Sequence, residues 1–366
     1  MPHKNSAMNK DHALPILKNR FLNKLKIPPP LHPKSDQWPW TDPNQGGSRP
    51  ISLRPSLPLL SIVIPCYNSG SYIEEAIRSI LLQDYPFIQI IIVDGGSSDS
   101  TLLVVDYYRQ WIDKVISEPD NGQADAINKG LSHCSGDYFN WINSDDLLAP
   151  GSLSMLFDNL DQHPDIIASS VGNFHDEDLA NFEIIPNLKL SARNFLIGLS
   201  SGISYHQPGV WLSMNLLHDK PMLDDEMHYV FDSEMMIRLL AKPRKVLYKD
   251  FISIYFRLHE GSKTVSKSDL LHKENHYMPI RIFDNPTLVS LHKLQARILL
   301  IRGWNEYVRS LFVRQPSFSA LASLLLHMLS DPFYRINRFS IGAARYLLMG
   351  TLYNPDSAKL RCVSKK

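Results

Sequence analysis

Cysteine is scarce. The 366 residues hold three, Cys66, Cys134 and Cys362, far apart and with no paired spacing. That argues against a disulfide framework and a cysteine zinc site, and favours a reducing compartment. An excess of one charge is also missing: 38 Lys/Arg against 37 Asp/Glu leave a net +1, with no general pull toward nucleic acid. No run reaches the about 18 uninterrupted apolar residues that suggest a membrane-spanning helix. The opening MPHKNSAMNKDHALP lacks the apolar centre of a signal peptide, so the expectation is a cytoplasmic chain. There is no internal repeat. What is present, 44% hydrophobic and 20% charged residues, suits a globular protein large enough to bury a full core.

The charges are unevenly placed. Residues 1–60 carry nine Lys/Arg and three acids, residues 292–366 twelve and three, and the stretch between them 17 and 31. The first 60 residues also hold eleven of the 25 prolines. Proline fixes φ and lacks a donor, which predicts an extended arm over 1–58, with one short helix through Leu17, Phe21, Leu22 and Leu25. Residues 271–366 read as a basic helical extension broken at Pro316, Pro332 and Pro355.

Between them, 59–270 reads as an α/β domain. Leu59–Pro65 is a buried-strand pattern, and Ser71-x-x-Glu74 a capping-box match before a helical run of Ile73, Ala76, Ile77, Ile80 and Leu81. Strands at Ile88–Val93, Lys114–Ser117 and Asp137–Ile142 alternate with helices at Thr101–Trp111 and Gln123–His133. Such alternation predicts a mostly parallel sheet covered on both faces. Further on, Ile166–Phe174, Gly209–Met214 and Val246–Leu258 read as strands, Ser152–Leu160 and Phe231–Ala241 as helices, and Asp176–Asn187 as a loop. Open sheets of this kind bind ligands beyond the carboxyl ends of their strands. The polar clusters Cys66-Tyr67-Asn68, Asp94, Glu118–Gln123 and Ser144–Asp146 all fall at such ends. Asp145-Asp146 offers hard oxygen ligands of the kind that hold Mg²⁺ or Mn²⁺. Read alone, it is equally an acidic turn before a helix.

Four motifs stand in order: Pro65-Cys-Tyr-Asn68, Val93-Asp-Gly-Gly-Ser-Ser-Asp-Ser-Thr101, Asp120-Asn-Gly-Gln-Ala-Asp-Ala-Ile-Asn-Lys-Gly130 and Asn143-Ser-Asp-Asp146. Together, over roughly residues 60–265, they resemble the family 2 glycosyltransferases. The resemblance implies a GT-A (Rossmann-like) fold over 59–270 and inverting, metal-dependent transfer of a sugar from a nucleotide-sugar, with UDP the default nucleotide. It implies that Asp94 accepts from the base, that Pro65, Tyr67 and Asn68 wall the nucleotide, and that Gly95 lets the backbone turn closely around it. Asp120, Gln123 and Asn128 would lie against nucleoside and sugar. Asp146 is expected as direct ligand of Mn²⁺ or Mg²⁺, with His259 a second candidate, and Asp145 on ribose or sugar. In Phe231-Asp-Ser-Glu-Met-Met-Ile-Arg238, Asp232 is the expected general base, with Glu234 kept as the alternative because the usual Glu-Asp pair is absent. His206-Gln-Pro-Gly209 is expected to line the donor or acceptor pocket, and Arg257 or Lys263 to pair with phosphate. The expected acceptor is a glycan or lipid-linked hydroxyl in cell-surface polysaccharide synthesis. The basic tail is a candidate for peripheral contact with the inner face of the cytoplasmic membrane, for packing on the domain or for a dimer contact.

Two other readings stay in view: a non-catalytic binding protein on the same scaffold, and a sugar nucleotidyltransferase. The second wants a basic phosphate loop after the first strand, which Pro65-Cys-Tyr-Asn-Ser-Gly70 is not. A nicotinamide dehydrogenase fails because no Gly-x-Gly-x-x-Gly follows that strand.

Overall fold

Strand β1 (Leu60–Cys66) is buried at every residue, as a run of Ile and Val between two covered faces should be. This computed structural model describes residues 27–41, 57–83, 85–158, 160, 163–175, 178–197, 203–217, 222–259, 261–262, 274, 308, 318–330, 336 and 338–353. The helix expected around Leu17–Leu25 and the phosphate candidate Lys263 lie outside them. After β1 come α1 (Ile73–Leu81), β2 (Ile88–Asp94), α2 (Thr101–Tyr107), β3 (Lys114–Ser117), α3 (Gln123–Leu131) and β4 (Tyr138–Trp141). Then follow β5 (Leu147–Leu148), α4 (Ser152–Phe157), β6 (Ile166–His175), β7 (Phe182–Ile185), α5 (Ala192–Ile197), β8 (Val210–Ser213), α6 (Phe231–Leu239) and β9 (Val246–Leu258).

The strands form one sheet in the order β3-β2-β1-β4-β8-β6-β9-β5, with β7 on β6. The β3-β2-β1-β4 half is parallel, as alternation predicts. Beyond it the sheet is mixed: β8 runs antiparallel to β4 and β6, whereas β9 runs parallel to β6. On one face, Ile62 and Ile64 of β1 and Ile90 and Ile92 of β2 pack with Ile73, Ile77 and Ile80 of α1. On the other, Gly130 of α3 comes so close that a Cβ there would lie 2.5 Å from Val63 Cγ1, so glycine sets how near this helix sits to the sheet.

Three details differ from expectation. Strand β7 occupies the segment read as a loop, paired to β6 through Phe174↔Phe182 and its neighbours. The helix expected over Thr101–Trp111 closes at Tyr107 and continues as a 3₁₀ turn, Arg109–Trp111. The capping box at Ser71 and Glu74 does not form: the residue before α1 is Tyr72, with no side-chain cap. Glu74 turns instead to the proline-rich segment, accepting from the Leu31 and His32 amides and from Tyr108 Oη at 2.7 Å.

That segment is not a loose arm over residues 27–41. Prolines carry carbonyls that have no regular partner. Here Pro28, Pro39 and Trp40 give theirs to the buried Arg78 guanidinium. Lys34 reaches Glu75 at 2.7 Å, and Trp38 Nε1 donates to the Leu148 carbonyl at 3.0 Å. The charged face of α1, Glu74, Glu75 and Arg78, is therefore buried beneath a strap.

The chain divides into two compact units, Met1–Glu274 and Asn275–Lys366. In the second, α7 (Phe318–Ser330) and α8 (Arg338–Tyr353) pack on one another. Leu324 and Leu347 are fully buried, while Leu325, Leu326, Leu329, Ile341 and Leu348 are exposed. No helix among the described residues is long and apolar enough to cross a membrane.

Candidate active site

The carboxyl ends of β1 and β4 open onto a cavity of roughly 670 Å³, ample for a small-molecule ligand. Pro65, Tyr67, Asp120, Gln123, Asp145 and Asp232 line it, bringing residues from four separate stretches of sequence to one place. His206, Gln207 and Pro208 line it as well.

The two acids of Asn143-Ser-Asp-Asp146 face different ways. Asp146 is fully buried; Arg257 N donates to its Oδ1 at 3.1 Å and Asn143 Nδ2 to its Oδ2 at 2.9 Å. Burial, and then the adjacent Asp145 charge, push its carboxyl well above the ordinary range. Asp145 lines the cavity, and its Oδ2 meets His259 Nε2 at 3.0 Å. Gly261 N donates to His259 Nδ1 at 3.2 Å, which directs Nε2 to Asp145. Tyr72 stacks against the same imidazole at 4.9 Å.

Arg257 stands behind this pair rather than in the cavity. Its Nη2 bonds Glu75 Oε2 at 2.5 Å, its Nε the Asp145 carbonyl at 3.0 Å, and its guanidinium lies over Phe174 at 4.7 Å. At 1% side-chain exposure it holds the acidic motif in place.

Asp94 is likewise turned inward. It is fully buried and accepts from Gly96 N, Ser97 N and Ser117 Oγ, so its carboxylate closes its own turn. The carboxylate that reaches the cavity at this end is Asp120: a Cβ on Gly95 would lie 2.6 Å from Asp120 Oδ2. Glycine at 95 thus makes room for an acid rather than for ligand backbone. Asn68, at φ 48°, ties the first two loops together by accepting from Ser98 N at 2.9 Å. Asn128 exchanges two bonds with Leu223 backbone and so anchors the loop that leads to α6.

Asp232, also in the cavity lining, sits in the first turn of α6, where the Ser233 amide donates to its Oδ1 at 2.6 Å. Burial raises its carboxyl to about 6. Glu234 is held by Arg238 through two bonds of 2.6 and 2.8 Å and does not line the cavity. Sequence reasoning passed over Glu274, whose buried carboxylate accepts from the His228, Tyr229 and Val230 amides just before α6. An anion at the amides preceding a helix suits the positive end of its dipole, and it fixes the turn that carries Asp232. No local motif marks Glu274, because its partners lie some 45 residues earlier. His228 and Tyr229, also unforeseen, line the cavity.

Two of the cavity's acids, Asp120 and Asp145, lie within a stretch that matches a known family, and Asp232 lies beyond it. Residues 61–210 match the family described as Glycosyl transferase family 2. The chain carries a glycosyl transferase family 2 domain. An uncharacterized glycosyltransferase of Rickettsia typhi, RT0329, is 28% identical over 57% of this chain and 66% of its own length. Glycosyltransferase GlyG of Streptococcus pneumoniae is 32% identical over 33% of this chain and 41% of its own. The chain thus spans less than two thirds of either relative. In structure, Staphylococcus aureus TarS residues 1–349, crystallised with UDP-GlcNAc, superpose with a TM-score of 0.52 at 18% identity, over 81% of this chain and 93% of that one. At that identity the likeness concerns the fold, and the GT-A fold expected from the motifs is the one found.

Proposed function

We propose that this chain is a metal-dependent inverting glycosyltransferase that moves a sugar from a nucleotide-sugar to a hydroxyl of a glycan or lipid-linked acceptor in cell-surface polysaccharide synthesis. The observation that carries the reading is that Asp145 and Asp232, from separate segments of the chain, line one cavity. Pro65, Tyr67 and Asp120 form the end suited to the nucleotide, with Gln123 between them and Asp145. UDP-sugars are the first donors to test, because TarS was crystallised with one.

Mg²⁺ or Mn²⁺ fits the Asp145–His259 pair better than Asp146. His259 Nε2 and Asp145 Oδ2 are 3.0 Å apart, whereas both oxygens of Asp146 are taken by protein donors. To serve as a ligand through Nε2, His259 would carry its proton on Nδ1 instead and give up the Gly261 contact. Such an ion supplies charge stabilisation to the departing diphosphate. Asp145→Ala is expected to weaken Mn²⁺-dependent UDP binding by an order of magnitude or more, read by calorimetry with and without the ion. Equal affinity in both proteins would remove Asp145 from the ligand set.

The remaining chemistry falls to Asp232. The acceptor oxygen bonds to the anomeric carbon as the bond from that carbon to the phosphate oxygen breaks. The electron pair leaves with the nucleoside diphosphate, and the acceptor proton passes to Asp232. Attack opposite the leaving group inverts the anomeric centre.

The exposed leucines of α7 and the twelve bases of residues 292–366 support peripheral contact of the tail with an anionic lipid face. The full chain is expected to co-sediment with phosphatidylglycerol vesicles at low salt and not with phosphatidylcholine vesicles. Equal binding to both, or to neither, would rule this out.

A further inference from the structure

Tyr72 immediately precedes α1, and its backbone is fixed there. Its amide donates to the Ser69 carbonyl at 2.9 Å, and its carbonyl accepts from the Glu75 amide at 2.9 Å. Three side chains from distant parts of the chain meet on its ring. His259, just beyond β9, stacks against it with centroids 4.9 Å apart and planes 31° from parallel. The Arg257 guanidinium lies 5.1 Å from the ring centre. Lys34 Nζ, from the proline-rich strap, also lies 5.1 Å from that centre, and it pairs with Glu75 at 2.7 Å. The face of an aromatic ring attracts cations, so both bases help to hold the ring where it is. Both also bind Glu75, which ties Tyr72 to the buried pair behind the acidic motif.

Two contacts bear on the His259 imidazole from its own side of Asp145. One is the Gly261 amide, which donates to Nδ1 at 3.2 Å and so needs that nitrogen bare. A ligand role through Nε2 puts the proton on Nδ1 and removes this bond. The other is the Tyr72 stack, which acts on the face of the ring and is indifferent to which nitrogen carries the proton. We propose that Tyr72 is a positioning residue for the metal pair: its ring fixes the plane of the His259 imidazole, so that Nε2 stays directed at the ion shared with Asp145. The inference rests on the reading of Asp145 and His259 as ligands given above. Groups that orient a ligand from behind commonly set how tightly the metal is held.

Tyr72→Leu and Tyr72→Phe test it, the first also combined with His259→Ala. Binding of UDP or GDP, whichever the wild type holds, is followed by calorimetry across a Mn²⁺ titration. Tyr72→Leu is expected to raise the half-saturating Mn²⁺ concentration about 10-fold, with nucleotide affinity at saturating Mn²⁺ unchanged. Tyr72→Phe keeps the ring and the wild-type value. In the His259→Ala background the group that Tyr72 orients is gone, so Tyr72→Leu adds no further loss there. A merely structural role weakens both backgrounds alike. Tyr72→Met, which fills similar space without a rigid ring, replaces the leucine variant if that chain does not fold. A wild-type Mn²⁺ requirement in Tyr72→Leu, an equal loss in Tyr72→Phe, or the full loss repeated in the His259→Ala background would each overturn the inference alone. A wild-type chain that binds neither nucleotide, or binds one without regard to Mn²⁺, overturns the metal reading itself and this inference with it. So does a His259→Ala chain whose Mn²⁺ requirement is unchanged.

Discussion

Asp232→Asn is expected to lower sugar transfer by about 10²- to 10⁴-fold, the usual worth of a positioned general base, while UDP binds as it does to wild type. The substitution keeps shape and the Ser233 contact but removes the capacity to take a proton. A base for the acceptor takes no part in holding the nucleotide, so nucleotide affinity has no reason to change. The pH profile gives the same test without mutation. With its carboxyl raised to about 6, Asp232 is protonated and idle below that pH and competent above it. Wild-type kcat/KM should fall about tenfold per pH unit below 6 and level off above it, and the residual activity of Asp232→Asn should lack that limb. The shift also bears on stability. The folded chain holds this proton more tightly than the unfolded one, whose ordinary value is 3.8, so burial of Asp232 costs stability as pH rises from there through about 6. Full turnover in Asp232→Asn would move the base role elsewhere, with Glu234 poorly placed to take it while Arg238 grips both its oxygens.

Glu75→Ala carries the largest expected effect on folding. It removes the carboxylate from an Arg257 guanidinium that is only 1% exposed, and breaking such a buried pair from one side typically costs about 3–5 kcal/mol. The loss reaches the site, because the backbone amide and Nε of Arg257 hold Asp146 and the Asp145 carbonyl. Urea unfolding followed by tryptophan fluorescence should show the first transition shifted well down, and Mn²⁺-dependent UDP affinity should fall with it. Lys34→Met is the contrast. Lys34 meets the same carboxylate but is 28% exposed, so water screens the pair and about 1 kcal/mol or less is expected. A Glu75→Ala chain as stable as wild type would show that the buried pair is not what fixes Arg257.

The parallel half of the sheet and the location of the cavity were legible because strand and helix periods alternate cleanly from Leu59 to Ile142, and polar residues collect at the strand ends. Asp232 was singled out by the resemblance of Phe231–Arg238 to the family's second acidic motif, and it lines the cavity. Which of two adjacent acids faces the ligand was not. Asp145 and Asp146 differ only in the direction that β9 imposes through the Arg257 amide. Asp94 carries the motif's expected acid, yet the turn that follows supplies enough amides to consume it, and Asp120 takes its place at the cavity. Glu274 and the strap over α1 depend on contacts 40 or more residues apart, which no local pattern encodes. Glu74 fitted a capping box equally well until the strap offered it better donors.

Release of nucleoside diphosphate from nucleotide-sugars tests the central claim most directly. The full-length chain is incubated with Mn²⁺, UDP- and GDP-sugars in turn, and either methyl glycosides or a crude lipid-linked acceptor. The account predicts acceptor-stimulated release from at least one donor, lost on chelation and lost in Asp232→Asn. No release from any donor with either acceptor, by a protein that folds and binds UDP, would contradict it.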